Sequence, residues 1–206
     1  MHEEELAIEK RWMGLARVNL ADFHRFYDKY CDRVYGFCLS WTLDPDLAED
    51  LTSDTFLRAQ ASLWRFRWKG VTFGAYLYRI ALNLVRQHAR KTAKAIHVNE
   101  ADVTIVDTRL NPLAEIILTE RQVMVRQVVA DLDRLGQEIF LLHYWDGLTT
   151  AEIAAVLGTP EGTVKTRLQR GRHHLRSRLR EMGVEPLDDT GNGPSRRHEH
   201  RREDEG

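Results

Sequence analysis

Apolar residues recur every three or four positions in three stretches of the first half of the chain, which is the spacing of one helix face. The first stretch covers residues 20–43, the second follows Asp44-Pro45, and the third runs from Phe73 to Lys91. Asp44 suits an N-cap, Pro45 suits a first helical position, and Thr72 can cap the third helix. The three predicted apolar stripes are Phe23, Phe26, Tyr27, Tyr30, Val34, Phe37 and Cys38; Ala48, Leu51, Thr55, Ala59 and Leu63; and Phe73, Tyr76, Leu77, Ile80, Leu84 and His88.

The second half of the chain predicts a separate group of helices. Periodicity fades after residue 93 and the stretch ends in Asn111-Pro112, which predicts a flexible linker. Helical spacing returns from Leu113 to Leu132 and again from Ile139 to Tyr144. The predicted organisation is an N-terminal extension (1–19), a helical domain (20–93), a linker (94–112), a second helical domain (113–183) and a polar, disordered tail (184–206). The predicted fold class is therefore all-α, with two small helical domains joined by a flexible linker.

Residues 149–179 have the pattern of a helix-turn-helix. Residues 151–157 predict a short apolar helix, Gly158-Thr159 a tight turn, and Thr159-Pro160 an N-cap with proline inside the start of the next helix. That second helix should turn Val164, Leu168, Gly171, Leu175 and Leu179 to the core and Lys165, Thr166, Gln169, Arg170, His173 and Arg176 outward. Such a face suits a major groove, with base edges near the helix start and phosphates further along. The alternative is a solvated basic helix in an ordinary bundle.

Charge is sorted along the chain although the net charge is only -1. Residues 58–94 carry 9 basic and 0 acidic side chains, and residues 161–182 carry 7 and 2. Two positive surfaces on an acidic body are the footprint of a polyanion binder. Two solvated basic helices would give the same count, so charge alone leaves both possibilities open.

Aromatic residues are concentrated in the first basic stretch. Six fall within residues 64–78, namely Trp64, Phe66, Trp68, Phe73, Tyr76 and Tyr78, and they alternate with Arg65, Arg67, Lys69 and Arg79. Aromatic rings stack on unpaired bases for ~1–3 kcal/mol each, so this mixture favours separated strands over intact duplex. Phe73 and Tyr76 are better explained as core, whereas Trp68 beside Lys69-Gly70 is harder to place there.

The helix after Asp44 is predicted to turn four acidic side chains outward: Asp46, Glu49, Asp50 and Asp54. Acidic residues near a helix start stabilise its dipole, which is one sufficient explanation. A surface of this sign would repel DNA, so any partner would be a protein with a basic patch.

Enzyme and metal signatures are weak, and no cofactor is predicted. The chain has no phosphate-binding glycine loop, no zinc-spaced Cys/His set and no His-Glu-x-x-His. Adjacent His173 and His174 would point apart on a helix, and His198 and His200 lie in the predicted tail.

The two cysteines, Cys31 and Cys38, lie on one predicted helix about 10.5 Å apart along its axis, too far for a disulfide in a straight helix. They are predicted to be buried free thiols, with a redox switch as the alternative. No apolar run approaches the roughly 18 residues of a spanning helix. The acidic start is unlike a targeting segment, so a cytoplasmic protein without membrane insertion is expected.

Three motifs in order resemble the extracytoplasmic-function (ECF) group of bacterial sigma-70 family sigma factors. They are AEDLTSDTFLRA at 48–59, YLYRIALN at 76–83, and TTAEIA at 149–154 with GTVKTRL at 162–168. The resemblance covers residues 20–182. The chain departs from the family at Gln87, where Asp is usual, and at Asp133, where Pro is usual.

The resemblance implies a promoter-specificity subunit of RNA polymerase with no catalytic site of its own. The acidic residues Asp46, Glu49, Asp50 and Asp54 would bind the coiled coil of the β′ subunit. The minus-ten element would be melted and held by Arg65, Arg67, Trp68, Lys69, Arg79, Asn83, Arg86, Gln87 and Arg90. The minus-thirty-five element would be read by Lys165, Thr166, Arg167, Gln169, Arg170, His173 and Arg176. The other implied partners are the β flap and an anti-sigma factor, and the free chain is expected to be a monomer.

Two other classes share parts of this pattern. A helix-turn-helix repressor or activator would bind duplex without polymerase, but it would not need the aromatic basic stretch and would usually dimerise. A small nuclease would need clustered carboxylates near its basic surface, and residues 58–94 contain none.

Overall fold

The computed structural model describes residues 2–68, 70–95, 127–144 and 146–181, which form helices connected by turns and contain no strand. The α-helices are α1 (His2–Val18), α2 (His24–Thr42), α3 (Pro45–Ala61), α4 (Phe73–Ala95), α5 (Arg134–Tyr144), α6 (Thr150–Leu157) and α7 (Glu161–Glu181), with 3-10 turns η1 (Leu20–Phe23) and η2 (Leu63–Arg65). The all-α prediction is confirmed. The predicted linker beyond residue 95 and the tail lie outside the described residues.

Helices α2, α3 and α4 pack around an aromatic core. Phe26 and Phe73 are fully buried with ring centroids 4.4 Å apart, and Phe66 packs edge-on against Phe73 at 5.1 Å. The turn between α2 and α3 is closed by Leu43 in the left-handed region (φ 54). Asp44 then caps α3 as predicted, because its side chain accepts from the Leu47 amide at 3.1 Å.

Two residues assigned to the apolar stripes are exposed. Tyr27 is 47% exposed because it follows the buried Phe26 by one position, and it only covers the edge of Phe56, with ring centroids 4.8 Å apart. His88 is exposed because the buried part of α4, among residues with described side chains, ends at Val85. The predictions for these two positions were wrong.

Helix α1 occupies the predicted N-terminal extension, residues 1–19. Met13 and Ala16 are buried, and Trp12 packs edge-on against Phe26 with centroids 5.7 Å apart. The fully buried carboxylate of Glu9 accepts from the backbone amide of Phe73 at 2.7 Å. The first helix therefore belongs to the core of the N-terminal half.

In the second half, α6 and α7 form the predicted helix-turn-helix. Thr149 and Glu152 make a reciprocal capping box at the start of α6, and Gly158 ends that helix at φ +66, where a side chain would be strained. Helix α7 begins at Glu161, so Pro160 precedes the helix instead of lying inside it. The predicted boundary was wrong by about one residue.

The helix-turn-helix is completed by α5, which crosses α7 closely. A Cβ added to Gly171 would come within 2.8 Å of the Phe140 ring. A glycine is therefore needed at this crossing. The buried side chains of Ile153, Val164 and Leu168 fill the space between the helices.

The two halves contact each other through polar pairs at the edge of a shared apolar core. Thr72 was predicted to cap α4, but its hydroxyl donates to Glu152 in the second half at 2.7 Å. The first amide of α4 donates to the carboxylate of Glu9. Arg86 donates to Glu138 at 2.8 Å. Asp146 is half-buried near Arg33, with its Oδ2 shielded from solvent, and this desolvation raises the pKa of the carboxyl well above its ordinary value.

Candidate nucleic-acid interface

The outer face of α7, which we call the recognition face, exposes all six side chains predicted to point outward: Lys165, Thr166, Gln169, Arg170, His173 and Arg176. Val164 and Leu168 hold the opposite side of the helix in the core. Lys165 pairs with Glu161 at 2.9 Å, an exposed contact that a phosphate could replace. The recognition face is thus presented by a rigid helix to solvent.

Arg167 is placed differently from its neighbours. It is half-buried and pairs through Nη1 with the Asp133 carboxylate, with the Oδ1 contact at 2.5 Å. Asp133 also accepts from the Gly136 amide at 3.2 Å, so it caps α5. Arg167 is therefore held against the start of α5 and does not belong to the recognition face.

Helix α4 carries a second exposed set of polar side chains, which we call the α4 row. Arg79, Asn83, Gln87 and Arg90 are all exposed and follow one another at helical spacing, so they share a face. Arg86 is half-buried and engaged by Glu138 in the second half of the chain. The row is free of acidic residues, which suits a phosphate backbone.

Residues 62–72, which we call the aromatic loop, connect α3 to α4. Trp64 is 63% exposed on η2, whereas Trp68 is half-buried and packs edge-on against Phe66 with centroids 5.0 Å apart. Arg65 and Arg67 are exposed, and Lys69 lies outside the described residues.

Trp64 is the better placed of the two indoles to meet an unpaired base, although only Trp68 was predicted to hold the strand. The sequence contains a signal for this exposure. Leu63 completes the buried stripe of α3, so the next side chain, Trp64, must point away from that face. Tyr76 is half-buried and shares a 2.6 Å hydrogen bond with Ser62. The rings of Tyr76 and Phe73 both pack against Phe66 of the loop, as expected of core residues.

The acidic face of α3 is exposed as predicted, with Asp46, Glu49, Asp50 and Asp54 all open to solvent. Asp54 makes only a loose pair with Arg58 at 3.6 Å. Leu57, three positions after Asp54, is 62% exposed beside these carboxylates. An apolar side chain among acidic ones suits a protein partner, and Leu57 was not among the residues predicted for this face.

The cysteines differ in burial. Both are free thiols; Cys38 is buried, and burial raises its pKa to about 12, whereas Cys31 is only half-buried. The expectation of two buried thiols is correct for Cys38 and wrong for Cys31. Within the described ranges, no cluster of three or more potential metal ligands is found. No helix there is long and apolar enough to cross a membrane.

Family comparisons agree with both halves of the chain. The family described as "Sigma-70 region 2" matches residues 26–95, and "Sigma-70, region 4" matches residues 122–175. The ECF RNA polymerase sigma factor BldN of Streptomyces coelicolor is 36% identical over 160 residues, covering 73% of this chain and 58% of that protein. The ECF RNA polymerase sigma factor SigW of Bacillus subtilis is 30% identical over 188 residues, covering 86% of this chain and 100% of that protein.

Solved structures show the same fold. CnrH, in complex with the cytosolic domain of CnrY, superposes with a TM-score of 0.59 at 22% identity and covers 84% of this chain and 97% of that one. RpoE, in complex with the anti-sigma factor NepR from Bartonella quintana, gives a TM-score of 0.58 at 25% identity, covering 77% and 97%. With both sigma-70 regions matched in order, this chain belongs to the ECF group of the sigma-70 family of RNA polymerase sigma factors.

Proposed function

We propose that this chain binds core RNA polymerase, directs it to promoters with two elements, and opens the DNA at the minus-ten element. The observation that carries the proposal is the separation of two exposed basic surfaces, the recognition face and the α4 row, on a chain that matches both sigma-70 regions. One surface suits duplex and the other suits a separated strand. A single promoter contains both kinds of DNA during initiation.

The recognition face would read the minus-thirty-five element. Lys165, Thr166 and Gln169 lie near the start of α7, from which side chains reach base edges in a major groove. Arg170 and Arg176 lie further along and would meet phosphates. Arg167 would support the face through Asp133 without touching DNA.

The α4 row and the aromatic loop would hold the non-template strand at the minus-ten element. Arg79 and Arg90 supply charge along the strand, and Trp64 supplies an open ring on which a base can stack. Because no acidic side chain interrupts residues 58–94, a strand could follow the row without repulsion.

The acidic face with Leu57 would bind core polymerase. Its charge excludes DNA as a ligand and suits a basic protein surface, and Leu57 provides apolar area to bury. The β′ coiled coil is the proposed docking site for this face, and the β flap is a further proposed contact between the chain and core polymerase. RNA synthesis would then be the work of the core enzyme in the cytoplasm, and this chain would supply no catalytic group.

An anti-sigma factor is proposed as a further partner. The related RpoE structure was solved with the anti-sigma factor NepR. A protein that covered the acidic face would block binding to core polymerase. One that kept the two halves together would keep Arg86 from the minus-ten strand.

The test is retention of genomic DNA fragments on a filter, with sequencing of the retained pool. The chain with core polymerase should retain fragments that share two elements at one separation, and the chain alone should retain none selectively. Selective retention of duplex fragments by the chain alone would instead support a helix-turn-helix repressor or activator.

A further inference from the structure

Helix α1 fixes both ends of the aromatic loop, and it lies outside the residues matched by the sigma-70 region 2 family, 26–95. Two of its side chains make the contacts: Arg17 at the start of the loop and Glu9 at its end. The inference drawn from them rests on the proposed role of this loop in opening promoters.

Arg17 holds the start of the loop by its main chain. Its Nη2 donates to the carbonyl oxygen of Leu63 at 3.2 Å and to that of Phe66 at 2.9 Å. These two carbonyls enclose Trp64 and Arg65, so one guanidinium spans the turn that carries the exposed indole. A main chain held in this way keeps Trp64 in solvent. If the turn were unrestrained, the ring could pack on the neighbouring apolar surface.

Glu9 fixes the other end of the loop. Its Oε2 accepts from the amide of Phe73, the first residue of α4, at 2.7 Å, and a carboxylate at a helix start also favours the helix dipole. Its Oε1 accepts from Lys29 Nζ at 2.5 Å and from the Tyr30 hydroxyl. The carboxylate is fully buried, and its contacts connect α1 to the start of α4 and to α2.

We propose that Arg17 and Glu9 are positioning residues that preorganise the aromatic loop for promoter opening. They touch no DNA. Arg17 acts through Trp64 by setting the path of residues 63–66, and Glu9 acts by setting where α4 and its exposed row begin. A loop held in this way needs no ordering when the strand arrives, so opening is faster.

The experiment uses full-length chain, core polymerase and two versions of a cognate promoter, one fully paired and one with a mismatched, already open minus-ten element. Arg17→Ala should lower the initiation rate about tenfold on paired promoter and by no more than about twofold on the open one. Arg11→Ala is the matched control, since Arg11 is exposed on the same helix; it should match wild type on both templates. Thermal unfolding of each variant verifies that it is folded.

Two further variants separate positioning from loss of structure. Trp64→Ala should show the same dependence on template, and Arg17→Ala with Trp64→Ala should be no slower than Trp64→Ala alone, because Arg17 acts through that ring. Glu9→Gln keeps the shape of the side chain and should slow paired promoter selectively. Equal losses on both templates, or additive losses in the double variant, would overturn the inference. If wild type with core polymerase initiated on neither template, the proposed function itself would fail.

Discussion

Arg86 of α4 and Glu138 of α5 form an ion pair between the two halves of the chain, with Nε 2.8 Å from Oε1 and a second contact between Nη2 and Oε2. Glu138 is buried and Arg86 is mostly so, with 26% of its side chain exposed. Arg86 belongs to the set proposed for the minus-ten strand. In this arrangement its guanidinium is occupied by the second half, which would have to release it for the proposed contact with DNA.

Variants of this pair should change DNA binding in opposite directions. Glu138→Gln removes the charge that holds Arg86, and we expect affinity for a single-stranded minus-ten oligonucleotide to rise about fivefold, or ~1 kcal/mol. Arg86→Ala removes the proposed DNA contact and should lower the same affinity. Fluorescence anisotropy of a labelled oligonucleotide with the full chain measures both. Changes of the same sign would contradict the proposed competition.

The recognition face should be separable from core binding. Lys165→Ala combined with Arg170→Ala should abolish transcription from the cognate promoter while co-purification with core polymerase stays at the wild-type level. Arg167→Ala is the matched control: it breaks the pair with Asp133, costs about 1 kcal/mol or less, and keeps the promoter preference. Loss of core binding in the double variant would show that the two surfaces are misassigned.

The two tryptophans of the aromatic loop should differ in effect. Trp64→Ala removes a 63% exposed ring and should slow promoter opening about tenfold while closed-complex affinity is nearly kept. Trp68→Ala should also slow opening more than closed-complex binding. In addition, it should lower the free energy of unfolding, since Trp68 packs on Phe66. Gel shift at low temperature reports the closed complex, and permanganate reactivity of thymines reports opening. Equal loss of both quantities would argue against a melting role.

The acidic face should control polymerase affinity alone. Asp50→Lys or Leu57→Ala should weaken binding of the chain to core polymerase about tenfold or more, because a charge is reversed or apolar area is lost at the proposed contact. Asp28→Ala removes an exposed carboxylate from α2 and serves as the control. Surface plasmon resonance with immobilised core measures the three variants. Unchanged affinity for Asp50→Lys would move the docking site elsewhere.

The shielded carboxyl of Asp146 should make stability depend on pH. Burial raises the pKa of Asp146 above that of an exposed carboxyl, and the positive charge of Arg33 opposes this only in part. The folded chain therefore binds this proton more tightly than the unfolded chain does. The resulting stability is present at low pH and is lost as the pH rises through the raised pKa. In urea unfolding, Asp146→Asn should exceed wild type in stability near pH 8, by a margin that shrinks toward about pH 5. A margin constant across this range would contradict the assignment.

Local signals in the sequence predicted much of this fold. The Asp44 cap and the Gly158 turn are both set by residues a few positions apart, and both were predicted correctly. The outward face of α7 followed from helical spacing alone. Periodicity could not show how narrow the buried face of α2 is or where α4 leaves the core, which is why Tyr27 and His88 were assigned to buried stripes.

The features that the sequence did not predict are contacts between residues far apart in the chain. Glu9 lies 64 positions from Phe73, and Arg17 lies 46 positions from Leu63, so no pattern within one helix could reveal either pair. Glu9 is also charged, and a buried charge is concealed in a hydrophobicity pattern because its partners come from elsewhere in the fold. The pairs of Arg86 with Glu138 and Arg167 with Asp133 were missed for the same reason.

Run-off transcription with mapped 5′ ends would show whether this chain directs core RNA polymerase to promoters. Purified chain is added to core RNA polymerase on fragmented genomic DNA of the source organism, and the transcript starts are sequenced. We predict new starts, absent with core alone, that share two upstream elements at a fixed separation. No new starts, while the chain alone still binds duplex selectively, would contradict the account.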